Sequence, residues 1–163
     1  MERITKEEIL RRDFWCDSDN NFWATFYNSI YIVKVKLRKE NDHWYFEMYS
    51  FPNRCLLNKF FMKSIENLDS RISYLYSQGY FMSLDVKYLL HLGFNRSHGK
   101  YYWKGLFGVN IMITEDEPTK FEPTKFTVSI KDFNGSSFIT VRDVKIFKRF
   151  LLTHDLLDMI YKT

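Results

Sequence analysis

The chain has 163 residues, 27% of them charged, a formal net charge of +4, and 16 Phe, 11 Tyr and 4 Trp against only 6 Gly and 3 Pro. So large an apolar payload excludes a disordered chain, and the length admits one good core or two small ones sharing an interface. Nothing approaches the ~20 consecutive apolar residues of a membrane helix, and the charged start through Glu2, Arg3, Lys6, Glu7 and Glu8 excludes a signal peptide, so the expectation is a soluble, cytoplasmic protein that makes no membrane contact.

Thr5 followed by Glu8 is a capping-box signature and predicts a short first helix carrying Ile9 and Leu10, ending near Asp13. From Ile30 to Arg38, Tyr31, Val33, Val35 and Leu37 alternate with Lys34, Lys36 and Arg38, as in a strand with one wet face. Turn residues Glu40-Asn41-Asp42 lead to a second alternation through Trp44, Phe46 and Met48, which predicts an antiparallel hairpin. After Pro52 and Asn53 the pattern reads as helical, with Ile65, Leu68 and Ile72 on one face and a stop at Gln78-Gly79.

Ser83 is the expected cap of a helix that carries Val86, Leu89 and Leu90 inward and ends at Gly93. Strands are expected at Tyr101–Trp103, Val109–Thr114 and Phe126–Lys131, then a tight turn at Asn134-Gly135 and a last strand through Phe138 and Ile139. A closing helix runs from about Val141, with Thr140 and Asp143 as caps and Val144, Phe147, Leu151 and Leu157 facing the core. Between them, Glu117-Pro118-Thr119-Lys120-Phe121 is repeated at once as Glu122-Pro123-Thr124-Lys125-Phe126, a local duplication that lengthens a surface loop.

A longer echo spans the chain at a separation of 80 residues: Leu10, Phe14 and Trp23 recur as Leu90, Phe94 and Trp103. Apolar character recurs in the same register, pairing Ile4 with Leu84, Ile9 with Leu89, Phe22 with Tyr102, Phe26 with Leu106, Tyr27 with Phe107 and Val33 with Ile113. Such self-similarity points to two copies of one supersecondary unit. The predicted fold is therefore α+β: two tandem helix-strands-helix repeats, 1–80 and 81–163, with antiparallel sheets, related by pseudo-symmetry or sharing a sheet edge and fused into one folding unit.

Chemistry is harder to find. Cys16 and Cys55 supply neither a disulfide framework nor a CxxC motif and are expected as reduced thiols in or near the core. His43, His91, His98 and His154 lack metal-ligand spacing, so no metal and no cofactor is expected. His154 and Asp155 are adjacent, and adjacent helical residues point about 100° apart, which is wrong for a base and its orienter. No nucleophile elbow or phosphate loop is present, so no catalytic residue is predicted.

Two binding readings remain. Lys34, Lys36 and Arg38 line one strand face, and Arg142, Lys145 and Arg149 one helix stripe beside Lys148; such rows can neutralise phosphates next to stacking aromatics. Equally, any half-buried element needs a solvated face, and Lys and Arg are its usual occupants. The aromatic surplus favours a protein partner or a self-dimer, with Tyr45, Tyr49 and Trp103 as interface candidates.

Ile4-Thr5-x-x-x-Ile9-Leu10 with Phe14, and its second version Leu89-Leu90-x-x-Gly93-Phe94 before an aromatic strand, resembles small uncharacterised proteins of Bacteroidota and of their phages and mobile elements. The first version departs from the pattern, with Asp13 where the second has Gly93. The resemblance implies a helix ending in Gly-Phe, a strand meander and a closing helix, and an accessory role such as inhibiting a host factor or serving in a virion. The expected function is non-catalytic protein interaction, with nucleic-acid binding as the alternative.

Overall fold

The computed structural model describes residues 3–116 and 124–161, and the chain divides into two compact units, Met1–Ser83 and Leu84–Thr163. Each unit is α+β with its own antiparallel sheet.

The first unit opens with α1 (Lys6–Leu10), whose capping box is formed: the Glu8 amide donates to Thr5 Oγ1 at 3.2 Å and the Thr5 amide to Glu8 Oε1 at 3.1 Å. Asp13 then takes φ 69°, turning the chain into a meander of β1 (Trp15–Cys16), β2 (Phe22–Tyr27), β3 (Ile32–Glu40), β4 (His43–Phe51) and β5 (Leu56–Met62), paired in that order. Helix α2 (Ile65–Ser77) follows, and β6 (Phe81–Met82) returns to pair with β2. Alternation sends Phe22, Ala24, Phe26, Val33, Val35 and Leu37 into the core. Helix α2 covers that face, as the Phe26–Tyr76 ring contact at 6.3 Å shows, and itself buries Ile65, Leu68 and Leu75. Arg12 ties α1 to α2 with a two-pronged contact to Asp69, at 2.6 and 3.0 Å, while its third nitrogen donates to the Glu8 carbonyl at 2.7 Å.

The second unit begins with α3 (Val86–His91), then β7 (Asn95–Ser97), β8 (Lys100–Lys104), β9 (Asn110–Glu115), β10 (Phe126–Asp132) and β11 (Gly135–Val141), again a meander. Helices α4 (Val144–Thr153) and α5 (Leu157–Ile160) close it. Phe94 meets Phe147 at 6.4 Å, so α4 lies over the core face, where Tyr101, Ile111, Ile113, Phe126, Val128 and Ile130 are buried. Tyr101 donates its hydroxyl to Glu115 at 2.6 Å; burial, then that bond, pushes its pKa up to about 12.

Several expectations are corrected. Residues 56–62 form an edge strand rather than part of a helix. Asp85 rather than Ser83 caps α3, accepting the Tyr88 amide at 2.8 Å, and Leu90 turns outward. Asp143 caps α4 at 2.9 Å, so the last helix starts at Val144 and Val141 stays in β11. The helix breaks at His154, where Asp155 takes φ 57°, and Leu156 and Ile160 fill the core position expected of Leu157. Asp132 pairs with Gly135, so Phe133-Asn134 forms the turn, one residue earlier than the Asn134-Gly135 reading. Cys55 is exposed and Cys16 half-buried. Among the described residues the two sheets share no strand. Of the duplicated pentapeptides, 117–123 lie outside the described residues.

The 80-residue register also fails between β2 and β8. Ile4, Ile9, Phe14 and Val33 and their counterparts Leu84, Leu89, Phe94 and Ile113 are all buried. Trp23, however, stands opposite Lys36 on the face away from α2, whereas Trp103 stands opposite buried Ile111 on the core side, with Gly105 against its ring. One residue of slip between β2 and β8 exchanges the faces. Phe26 is buried but Leu106 is 73% exposed, because β8 ends at Lys104 before reaching it.

Candidate interaction surface

The face of the first sheet turned away from α2 carries the first basic row. Across it runs the rung Trp15–Trp23–Lys36–Glu47–Lys59, set by the pairing of β1 to β5. Trp15 and Trp23 stack at 6.3 Å, and Lys36 Nζ sits 5.3 Å from the Trp23 ring. Arg38 and Lys59 flank Tyr45 at 5.3 and 5.0 Å, Lys34 lies 5.1 Å from the Phe51 ring, and Tyr49 meets Trp23 at 6.4 Å. Each exposed cation–ring contact contributes about 0.5–1 kcal/mol, so the cations rest on rings rather than reaching freely into solvent.

Acid groups hold this face together. Glu47, buried to 6% exposure, accepts Arg38 Nε at 3.2 Å, and the other end of that guanidinium pairs with Glu40. Asp17 accepts the Trp23 indole N–H at 2.8 Å and the Asp19 and Asn21 amides at 2.9 Å each. Burial works to raise the Asp17 carboxyl, but those three bonds and nearby Lys36 outweigh it and hold it below the ordinary range. Near neutrality Arg38 is therefore matched twice, and the row carries less free charge than its sequence suggests.

The second basic row lies in the other unit. Lys145 and Arg149 are exposed one turn apart on α4, and Lys148 rests 4.6 Å from the Tyr161 ring. Arg142 precedes the cap and is off the helical stripe; its carbonyl accepts the Leu84 amide at 2.7 Å. Of the interface candidates, Tyr45 and Tyr49 share the outer face of the first sheet, whereas Trp103 is half-buried on the core side of the second.

Sequence reasoning missed the hairpin tips. In the second unit the β8–β9 and β10–β11 turns emerge at the same end of the sheet, since Lys104 pairs with Asn110 and Asn110 with Lys131. They present Leu106 at 73%, Phe107 at 79% and Phe133 at 82% exposure. In the first unit, Ile32 pairs with Phe51, so the β2–β3 and β4–β5 turns also share an end, and Ile30, Tyr31, Phe51 and Leu56 are open there. Phe107 moreover holds φ 57°, a region that costs a non-glycine residue roughly 1–2 kcal/mol. The available signal was apolar residues where turns normally carry Gly, Asn or Asp: Leu106-Phe107 bracketed by Gly105 and Gly108, and Phe133 directly before Asn134.

A groove of about 430 Å³ opens between β5 and α2, lined by Phe60, Phe61, Met62, Lys63, Asn67, Ser70, Arg71 and Tyr74. Among the described residues, no group of three or more His, Cys, Asp or Glu could hold a metal ion, and no helix is long and apolar enough to cross a membrane. No family model, curated protein or solved structure matches this chain.

Proposed function

We propose that this protein acts by binding another protein, without catalysis, in the cytoplasm. The observation that carries the reading is the pair of apolar hairpin tips in each unit, above all Leu106, Phe107 and Phe133, spread over neighbouring turns at one end of a sheet. Large side chains this exposed, one on strained backbone, are characteristic of interaction sites rather than of a solvated turn. Affinity capture with the whole chain as bait, run beside the Phe107→Ser/Phe133→Ser variant, tests it. A partner held by the wild type and lost by the folded variant is expected; equal recovery by both overturns the reading. We also infer that the units are two copies of one helix-meander-helix design, supported by the helix, five-strand meander and helix that each contains and by the buried pairs Ile9/Leu89 and Phe14/Phe94, although the first unit ends in β6 and the second in α5.

A second reading, single-stranded nucleic acid on the outer face of the first sheet, is favoured by the interleaving of Lys34, Lys36 and Lys59 with Trp23, Tyr45 and Phe51. It requires binding that falls steeply with salt and weakens in Lys34→Glu/Lys36→Glu. Salt-insensitive binding, or none at low salt, removes it.

A further inference from the structure

We propose that the free edge of β5 and the groove beside it take an extended peptide with alternating apolar and acidic side chains, which adds to the first sheet as the next strand. This goes beyond the hairpin tips and uses a different surface.

Among the described residues strand β5 pairs only with β4, and it is seven residues long where the strands at the opposite edge, β1 and β6, have two each. In an antiparallel ladder alternate residues turn their N–H and C=O groups away from the existing partner, so this edge offers a row of unused donors and acceptors. Its side chains do not hide it: Leu57 and Phe61 are 49% and 41% exposed. Added strands recognise such an edge through main-chain bonds and draw specificity from pockets for alternate side chains.

The pocket is already built. Asn67, Ser70, Arg71 and Tyr74, spaced i, i+3, i+4 and i+7, form one stripe of α2 and line the groove together with Phe60 and Met62 of β5. A strand laid beside β5 sets every second side chain against this stripe. The helix thus overhangs a position that the sheet leaves unfilled.

Charge decides the occupant. Lys63 and Arg71 line the groove and have no carboxylate within ion-pair distance among the described residues, and no Asp or Glu lines the groove. The Arg71 guanidinium rests over the Phe60 ring, 3.4 Å from its centroid, at the groove wall where a carboxylate can reach it. A second copy of the chain added edge to edge presents Lys59 and Lys63 and no carboxylate between Leu56 and Lys63, so it offers the groove cations nothing to pair with. Acidic side chains on the groove-facing side of an added strand meet Arg71 and Lys63, both of which line the groove.

The test is selection of random ten-residue peptides displayed against the immobilised whole chain, followed by synthesis of the best binder and anisotropy titration. Enriched sequences should alternate apolar residues with Asp or Glu. Binding should weaken at least tenfold in Arg71→Glu and in Ser70→Trp, which fills the groove, and change less than twofold in Phe107→Ser. Bound peptide should also protect β5 amides from hydrogen exchange. Lys63→Glu replaces either groove variant that fails to fold. The proposal is overturned by selection that returns no binder or binders without acidic residues, or by unprotected β5 amides. It is equally overturned by self-association of the wild type that Ser70→Trp abolishes, which would put a second copy at this edge. Loss of binding in Phe107→Ser alone would move the peptide to the hairpin tips and leave this edge without a ligand.

Discussion

Removing the Glu47 carboxylate tests whether the outer face of the first sheet is an organised structure or a collection of surface charges. Its side chain is 7% exposed and accepts Arg38 Nε at 3.2 Å, whereas Glu40, which holds the other end of the same guanidinium, is 53% exposed. Lys36 and Lys59 stand on either side of Glu47 in the neighbouring strands. A fully buried pair broken on one side costs about 3–5 kcal/mol, but Arg38 is 24% exposed and can recover some hydration. A charged hydrogen bond contributes about 1.5–3 kcal/mol, so Glu47→Ala is expected to lose about 2–3 kcal/mol. Glu40→Ala removes only a solvent-screened surface contact and is expected to lose clearly less than Glu47→Ala. Urea unfolding followed by tryptophan fluorescence measures both, since Trp15, Trp23 and Trp44 report on this unit. Equal losses in the two variants, or less than about 0.5 kcal/mol for Glu47→Ala, would refute the view that the buried acid organises the cations.

Three further outcomes follow from the geometry. Phe107→Asn places a residue tolerant of φ 57° at an exposed tip, and should raise stability by about 0.5–1 kcal/mol in thermal unfolding while weakening partner binding. The raised Tyr101 pKa means that the folded state favours the neutral phenol: its contribution is complete below about pH 10, the ordinary tyrosine value, and disappears as pH rises through about 12. Tyr101→Phe should therefore cost about 1 kcal/mol at neutral pH and remove that alkaline phase, as seen by tyrosinate absorbance. The Arg12 hydrogen bonds, which outweigh burial, hold Asp69 below the ordinary aspartate range, so this contact stabilises above about pH 4 and is lost as pH falls through the depressed value. With the Asp69 side chain 48% exposed, Asp69→Asn should cost only about 0.5 kcal/mol at pH 7 and nothing at pH 2 in urea titrations.

Elements whose signal is local were legible in the sequence. The Thr5/Glu8 box, the Val33-Val35-Leu37 alternation and the Gly79 and Gly93 stops each depend on a few neighbouring residues, and each lies where the spacing predicts. Edge strand β5 was not legible, because Leu56-Leu57-Asn58-Lys59-Phe60-Phe61 has no period-two alternation; an edge beside a groove exposes both faces, and its burial follows neither template. The chain-long echo misled where it crossed a strand, since matching Trp23 to Trp103 is sound as composition and wrong as geometry by one residue. Period two makes that single residue the difference between core and surface.

The same arithmetic explains why the basic row read more basic than it is. Sequence places Lys34, Lys36 and Arg38 on one face, but Glu47 joins that face only through the β3–β4 register, in which Glu47 lies opposite Lys36 and two positions from Arg38's partner Tyr45. Asp17 joins it through a turn before β2 that binds the Trp23 indole. Neither acid is close to the lysines along the chain. Cations interleaved with rings and matched by acids hold a sheet face open to solvent without exposing continuous apolar area. The hairpin tips and β5 instead leave large apolar side chains exposed, and those are the surfaces from which binding is expected.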